Sequence, residues 1–365
     1  MKKVYLIFNM VLANTAFGQV LHNGITLPAQ WPPRYEEPTE RKEMPVPYLQ
    51  PVPYLQHKPA VIPINTGRQL FVDDFLLSEN YLQKVYHTPH FYAQNPVLKA
   101  DKSWENTKEG YPYAAPFSDG VWYDETDQKF KMWYLAGASQ ANEAKHGLAT
   151  CYAESVDGKH WTKPSLDIVP GTNYVDVNNR DAATVWLDRN EKDPAKRWKF
   201  FNVEYKAMNN IEYKSDYAQY QIVLKYSSDG IHWTDKGVAH SGSITDRASV
   251  FYNPFTHRWV ISMRYSVPAV SNRSRAYLEH PNAEDAVSLA HMKSRQINDK
   301  YNVFWFTPDD KEKRHPDYPE VAPGIYNFDA IAYESIILGF YSQWQGPENG
   351  IAKKAMMPKR NEVQL

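Results

Sequence analysis

Beyond about residue 66 the chain reads as short apolar and aromatic runs separated by polar turns, a texture of β-strands. The runs repeat. Val121-Trp122-Tyr123-Asp124 is followed, after a polar turn, by Phe130-Lys131-Met132-Trp133-Tyr134. Val185-Trp186-Leu187-Asp188 is followed in the same way by Trp198-Lys199-Phe200-Phe201, and Val250-Phe251-Tyr252-Asn253 by Trp259-Val260-Ile261-Ser262. Each unit predicts a β-hairpin whose Asp or Asn opens the turn. The three units start 64 and 65 residues apart, a spacing that suits one four-stranded propeller blade with long loops. A second repeat interleaves: Ser155-Val156-Asp157-Gly158-Lys159-His160-Trp161 recurs as Ser228-Asp229-Gly230-Ile231-His232-Trp233, offset by one residue at the serine. Asp-Gly supplies the positive φ of a tight turn, and the Trp packs behind it. These turns are expected to be structural.

The pattern predicts an all-β chain with one short helical insertion. That helix is expected to be capped by Asn282 and to run from Ala283 to about Met292. Before the β texture, residues 19–64 are proline-rich and lack periodicity. They contain the hexapeptide Pro45–Gln50 duplicated at once as Pro51–Gln56, which predicts an extended linker. Lys2-Lys3, an apolar run over Val4–Leu12 and the small residues of Ala16-Phe17-Gly18 predict an export signal over residues 1–18, hence a periplasmic or secreted protein. Residues 65–365 then form the β-propeller. Counting units that begin near residues 111, 180, 245 and 328 leaves a fourth blade unfinished and a fifth wanting, so a five-bladed propeller incomplete at its C-terminus is expected.

A formal net charge of −1 over 365 residues excludes the broad basic field of a nucleic-acid binder. No apolar run is long enough to span a bilayer. The lone Cys151 excludes internal disulfides and C-x-x-C metal sites, and neither a metal nor a cofactor is expected. With 26 Tyr and 11 Trp, the chain has aromatic rings both for layers between sheets and for stacking on sugars.

Aligning the hairpins puts aspartates in register. Asp181 lies four residues before Val185, and Asp246 four before Val250. Asp329-Ala330-Ile331-Ala332, leading into Tyr333-Glu334-Ser335, gives a third instance. Innermost strands begin near a propeller's axis, so these carboxylates are expected to converge on one pocket. Like charges brought together raise one another's pKa, and glycoside cleavage uses such a pairing of carboxylic acid and carboxylate. Arg180 and Arg247 flank two of the aspartates and could orient a carboxylate or clamp an acidic sugar.

Leu70-Phe71-Val72-Asp73-Asp74, Phe130–Tyr134, the S-x-D-G-x-H-W turns and Asp329–Ser335 together resemble bacterial secreted proteins described as glycoside hydrolase family 32-like. The resemblance covers roughly residues 66–365. It implies the clan of families 32 and 43, whose five-bladed propellers carry two aspartates and a glutamate at the axis. Arg180-Asp181 resembles that family's Arg-Asp-Pro motif, with Ala182 in place of proline, which would make Asp181 the transition-state stabiliser. Glu334 would be the general acid, and Asp246 or Asp329 the nucleophile or base. Arg180, Arg247, Asp74 and Trp104 are the candidate substrate contacts. The Trp-x-Asn-Asp-Pro-Asn-Gly signature of invertases is absent. The expected function is hydrolysis of glycosidic bonds in an oligosaccharide or polysaccharide. A non-catalytic glycan-binding propeller, or a phosphorylase or lyase using the same pocket, is the alternative.

Overall fold

The computed structural model describes residues 18–34, 57–107, 109–138, 148–205, 220–267, 271–292, 300–309 and 311–365. The charged start and apolar run of the expected export signal lie outside the described residues, as does the duplicated hexapeptide.

The fold is all-β, with successive antiparallel sheets arranged as propeller blades. The first sheet contains β1 (Ala114–Ala115), β2 (Val121–Asp124), β3 (Lys129–Gly137), β4 (Leu148–Ser155) and β5 (Tyr174–Asp176). β6 (Arg180–Leu187), β7 (Trp198–Tyr205), β8 (Tyr220–Ser227) and β9 (Ala239–His240) form the second in that order. The third orders β10 (Ser249–Asn253), β11 (Arg258–Val267), β12 (Ser271–His280) and β13 (Val303–Phe306). β14 (Gly324–Tyr333), β15 (Ile336–Gly346) and β16 (Arg360–Gln364) form the fourth. Four blades are present among the described residues, the last with three strands, in keeping with the four sequence units of which the fourth was expected to be unfinished.

The hairpins form where the repeats place them. Asp124, Asp188 and Asn253 each accept a bond from the backbone N–H two residues on, so a short polar side chain closes each turn. The aromatic positions fill the layers between blades. Trp133 meets Trp198 at 4.8 Å, Trp122 meets Trp186 at 4.8 Å, and Trp186 meets Trp259 at 6.0 Å across successive sheets. Buried lysines lie in the same layers: Lys131 pairs with Asp124 at 2.9 Å and Lys199 with Asp188 at 3.0 Å.

Both S-x-D-G-x-H-W turns have one geometry, and it corrects the alignment. The serine that meets Asp229 is Ser227, at 2.8 Å, just as Ser155 meets Asp157 at 3.0 Å, so the two turns carry no offset. In each, the aspartate accepts two following backbone N–H groups and meets the His ring.

Asn282 caps helix α1 (Ala283–Leu289) by accepting the Asp285 N–H at 3.0 Å. The helix stops short of Met292 because the chain beyond it pairs elsewhere: Ala290 O accepts from Gly242 N–H and Met292 N–H donates to Ser243 O. A second helix, α2 (Asn349–Ala355), was not evident in the residue pattern. Part of the proline-rich stretch is docked rather than free-standing: His22 stacks on Phe255 at 4.2 Å and donates from Nε2 to Ser335 O.

Candidate active site

The innermost strands are tied together across the axis. Val185 N–H donates to Asp119 O at 2.6 Å, Val250 N–H to Thr184 Oγ1 at 3.1 Å, and Ser249 Oγ to Phe328 O. Asp119, Thr184, Ser249 and Phe328 therefore lie at one depth. Asp181 and Asp246 lie three residues earlier in the chain than Thr184 and Ser249.

Each inner strand loses its regular register near this point. In the first blade, β1 and β2 are two pieces of one strand, separated by Pro116, which has no N–H to give, and Gly120, at φ 115°. In the second, the ladder slips between Arg180 and Ala182, leaving Asp181 as the extra residue. The third has Asp246-Arg247 just ahead of β10, with Arg247 at φ 59°, an uncommon conformation for a residue bearing a Cβ. In the fourth, the slip between Ile325 and Phe328 releases Tyr326 and Asn327. These irregularities aim polar side chains at the axis that a regular ladder would turn into the blades.

At the mouth, Arg247 N–H donates to Asp181 Oδ2 at 2.8 Å and its guanidinium to Asp181 O at 3.0 Å. Arg264 Nη1 contacts Asp246 Oδ1 at 2.5 Å, and Arg273 Nη1 stands 3.6 Å from Asp246 Oδ2. The Tyr326 ring lies between two guanidiniums, 4.3 Å from that of Arg273 and 5.3 Å from that of Arg247, which also faces Phe117 at 4.8 Å. The two carboxyls are driven apart in acidity. Burial pushes Asp181 above the ordinary aspartate value, with the charge of Asp246 adding to it against the pull of Arg247. Burial acts on Asp246 in the same sense, but Arg264 and Arg273 outweigh it and hold Asp246 below the ordinary value.

Deeper down, Asp329 is pushed up to about 6, chiefly by burial, while bonds from Ser118 and Asn327 and the nearby Arg275 oppose the rise. Arg275 is itself lowered to about 9 by burial, and it holds Ser262 Oγ, Ser262 O and Arg247 O through three hydrogen bonds. Asp119, wholly buried, pairs with Arg180 at 2.5 Å; burial raises it and Arg180 draws it back.

The structure thus brings Asp181, Asp246 and Arg247 together and sets Asp329 one tier below them. Arg180 is not at the mouth: it is 0% exposed, turned behind Asp181 onto Asp119. Glu334 does not join the carboxylates. It sits at φ 53° in the tip of the β14–β15 hairpin and accepts from Arg68 N–H at 3.0 Å and Nη2 at 2.6 Å. Four residues of β14, Ala330–Tyr333, separate it from Asp329 and carry it roughly 13 Å or more away. Asp74 is exposed and pairs with Lys84 at 3.0 Å. Trp104 packs on the buried cluster of the first sheet and donates to Asn173 Oδ1 at 2.7 Å. Arg264, Arg273, Arg275, Tyr326 and Asp119 are the axial residues that the residue pattern did not single out. Asp119 could have been found from the Pro–Gly bracket around it. The β11 and β12 arginines carry no such mark. Among the described residues, no cluster of ligating side chains suits a metal ion.

No family model matches the chain, and no curated protein does. Among solved structures, a GH32 β-fructofuranosidase from Bombyx mori is 12% identical, with a TM-score of 0.41 over 70% of this chain and 49% of that one. An N-acetylgalactosamine deacetylase from F. plautii is 12% identical, with a TM-score of 0.36 over 61% of this chain and 60% of that one. An exo-β-1,3-galactanase from Clostridium thermocellum is 9% identical, with a TM-score of 0.37 over 67% of this chain and 44% of that one. The chain spans between 44% and 60% of the length of these three.

Proposed function

We propose that this chain is a carbohydrate-active hydrolase that cleaves a glycosidic bond at its axial mouth. One observation carries the reading: Asp181 and Asp246, from adjacent blades, lie close enough for the charge of Asp246 to act on Asp181, Arg247 pairs with Asp181 while Arg264 and Arg273 face Asp246, and the two acidities are driven in opposite directions. Such a pair supplies both groups that glycoside cleavage needs. Asp246, kept ionised by Arg264 and Arg273, is the nucleophile or the base that activates water. Asp181, whose pKa burial raises above the ordinary aspartate value, is assigned the role of proton donor to the leaving oxygen. That assignment takes the acid's role from Glu334. Arg247 holds Asp181 in place through its own N–H.

Turnover on a panel of oligosaccharides and polysaccharides tests the reading. Asp246→Asn and Asp181→Asn should each lower kcat by about 10²–10⁴-fold, with the far-ultraviolet circular dichroism unchanged. Full activity in both variants removes these carboxylates from catalysis. The reading places the enzyme outside the cytoplasm, on the support of Lys2-Lys3, the apolar run and Ala16-Phe17-Gly18. Protein recovered from its native host should then begin at or near Gln19, and an intact Met1 speaks against export.

A further inference from the structure

The mouth holds more positive than negative charge. Arg247, Arg264 and Arg273 surround two carboxylates, Asp181 and Asp246. Arg247 is committed to Asp181 and Arg264 to Asp246. Among the described residues, the carboxylate facing Arg273 is the far side of Asp246, which Arg264 already holds; it lies at 3.6 Å, beyond a hydrogen bond. Among the described residues Arg273 Nη1, shielded from solvent, has no hydrogen-bond partner, although the side chain as a whole keeps 16% exposure. A buried donor left unsatisfied is costly, and two neighbouring guanidiniums add repulsion. The side chain is nonetheless held firmly: Tyr326 lies 4.3 Å from the guanidinium and Trp344 6.0 Å from it. Aromatic rings that fix a planar fork at a mouth, beside an already neutralised carboxylate, leave that fork ready for a second anion.

We propose that Arg273, flanked by Arg247 and Arg264, forms an oxyanion subsite beside Asp246, taking a carboxylate, sulfate or phosphate group. The inference rests on the axial mouth being the glycan site. The oxyanion has two sources, an acidic substituent on the glycan itself or free inorganic phosphate.

Calorimetric titration of the whole chain with inorganic phosphate, inorganic sulfate, glucuronate and glucose at low ionic strength tests it. The oxyanions should bind at concentrations where glucose does not, and added chloride should weaken them. Arg273→Gln should weaken them by about tenfold to a hundredfold. Arg273→Lys, which keeps the charge and the apolar stem but loses the fork, should fall between. Oxyanions that bind no better than glucose, or binding unchanged in a folded Arg273→Gln protein, overturn the proposal. Turnover then separates the sources. Phosphate-independent cleavage of uronic or sulfated glycans, lost in Arg273→Gln, identifies a substituent. Phosphate-dependent cleavage of neutral glycans identifies free phosphate. Cleavage of neutral glycans without any oxyanion binding sinks the subsite and leaves the hydrolase reading intact. Arg273-dependent oxyanion binding with no glycan cleaved does the reverse.

Discussion

Asp329 lies where ionisation is costly, and that has a consequence for stability. Its folded-state pKa is raised to about 6 by burial, so between the ordinary aspartate value and 6 the native state holds a proton that the unfolded chain has released. Stability from this group is therefore full at the acid end and declines as pH rises through 6. Asp329→Asn keeps the shape and removes the charge. Relative to wild type it should gain up to about 3 kcal/mol between pH 4 and pH 7, read by urea denaturation at each pH. Parallel stability profiles for the two proteins show that Asp329 does not titrate in this range. At this scale the site was half legible. Asp181, Asp246 and Arg247 stand out in the residue pattern because they precede equivalent valines. Asp329 stands out too, but in the wrong tier, since the slip between Ile325 and Phe328 breaks the count on which the alignment depends. Glu334 is close to Asp329 in sequence, yet the rest of β14 separates them and the hairpin tip hands Glu334 to Arg68.

Among elements, the hairpins and their turns were the most readable parts, because a turn's chemistry is local: Asp or Asn closes it and Gly takes the positive φ. What lies behind a turn is not local. Gly158 and Gly230 occupy the same position in the two S-x-D-G-x-H-W turns, at φ 72° and 81°. A Cβ on Gly158 meets nothing nearer than Phe130 at 3.8 Å, whereas one on Gly230 lands 2.6 Å from Trp133 of the preceding blade. Trp133 cannot yield easily, since its indole N–H donates to Gly230 O at 2.7 Å and its ring packs on Trp198. Gly158→Ala should thus cost about 1 kcal/mol for backbone strain alone. Gly230→Ala should cost about 3 kcal/mol, because overpacking adds to the strain. Equal losses in denaturation experiments would show that the inter-blade contact accommodates the methyl group. The irregular strands at the axis were harder to read than the turns. A bulge leaves only a weak mark in a short apolar run, and at Asp119 that mark is Pro116 and Gly120 on either side.

Across the whole molecule, blades adhere chiefly through aromatic layers, and the abundance of Trp and Tyr made such layers expected. The number of blades within the chain followed too: units beginning near residues 111, 180, 245 and 328 match the four sheets present among the described residues, the fourth with three strands. Polar ties between blades were not legible, because each joins residues far apart in the chain whose types also suit a solvated surface. The deepest of these is Arg180 with Asp119, one from the second blade and one from the first, at 2.5 Å and both 0% exposed. It lies directly behind Asp181, so it bears on the site as well as on the join. Removing one partner of such a pair strands a charge away from water, while replacing both with apolar groups removes the cost together with the attraction. Asp119→Ala should accordingly destabilise the protein by about 3–5 kcal/mol in urea denaturation. Asp119→Leu combined with Arg180→Met should recover most of that loss, giving a strongly non-additive cycle. The double variant should still lose activity, because Arg180 no longer backs the bulge that presents Asp181. A single Asp119→Ala loss below about 1 kcal/mol would mean that the pair adds little to the join between the first two blades.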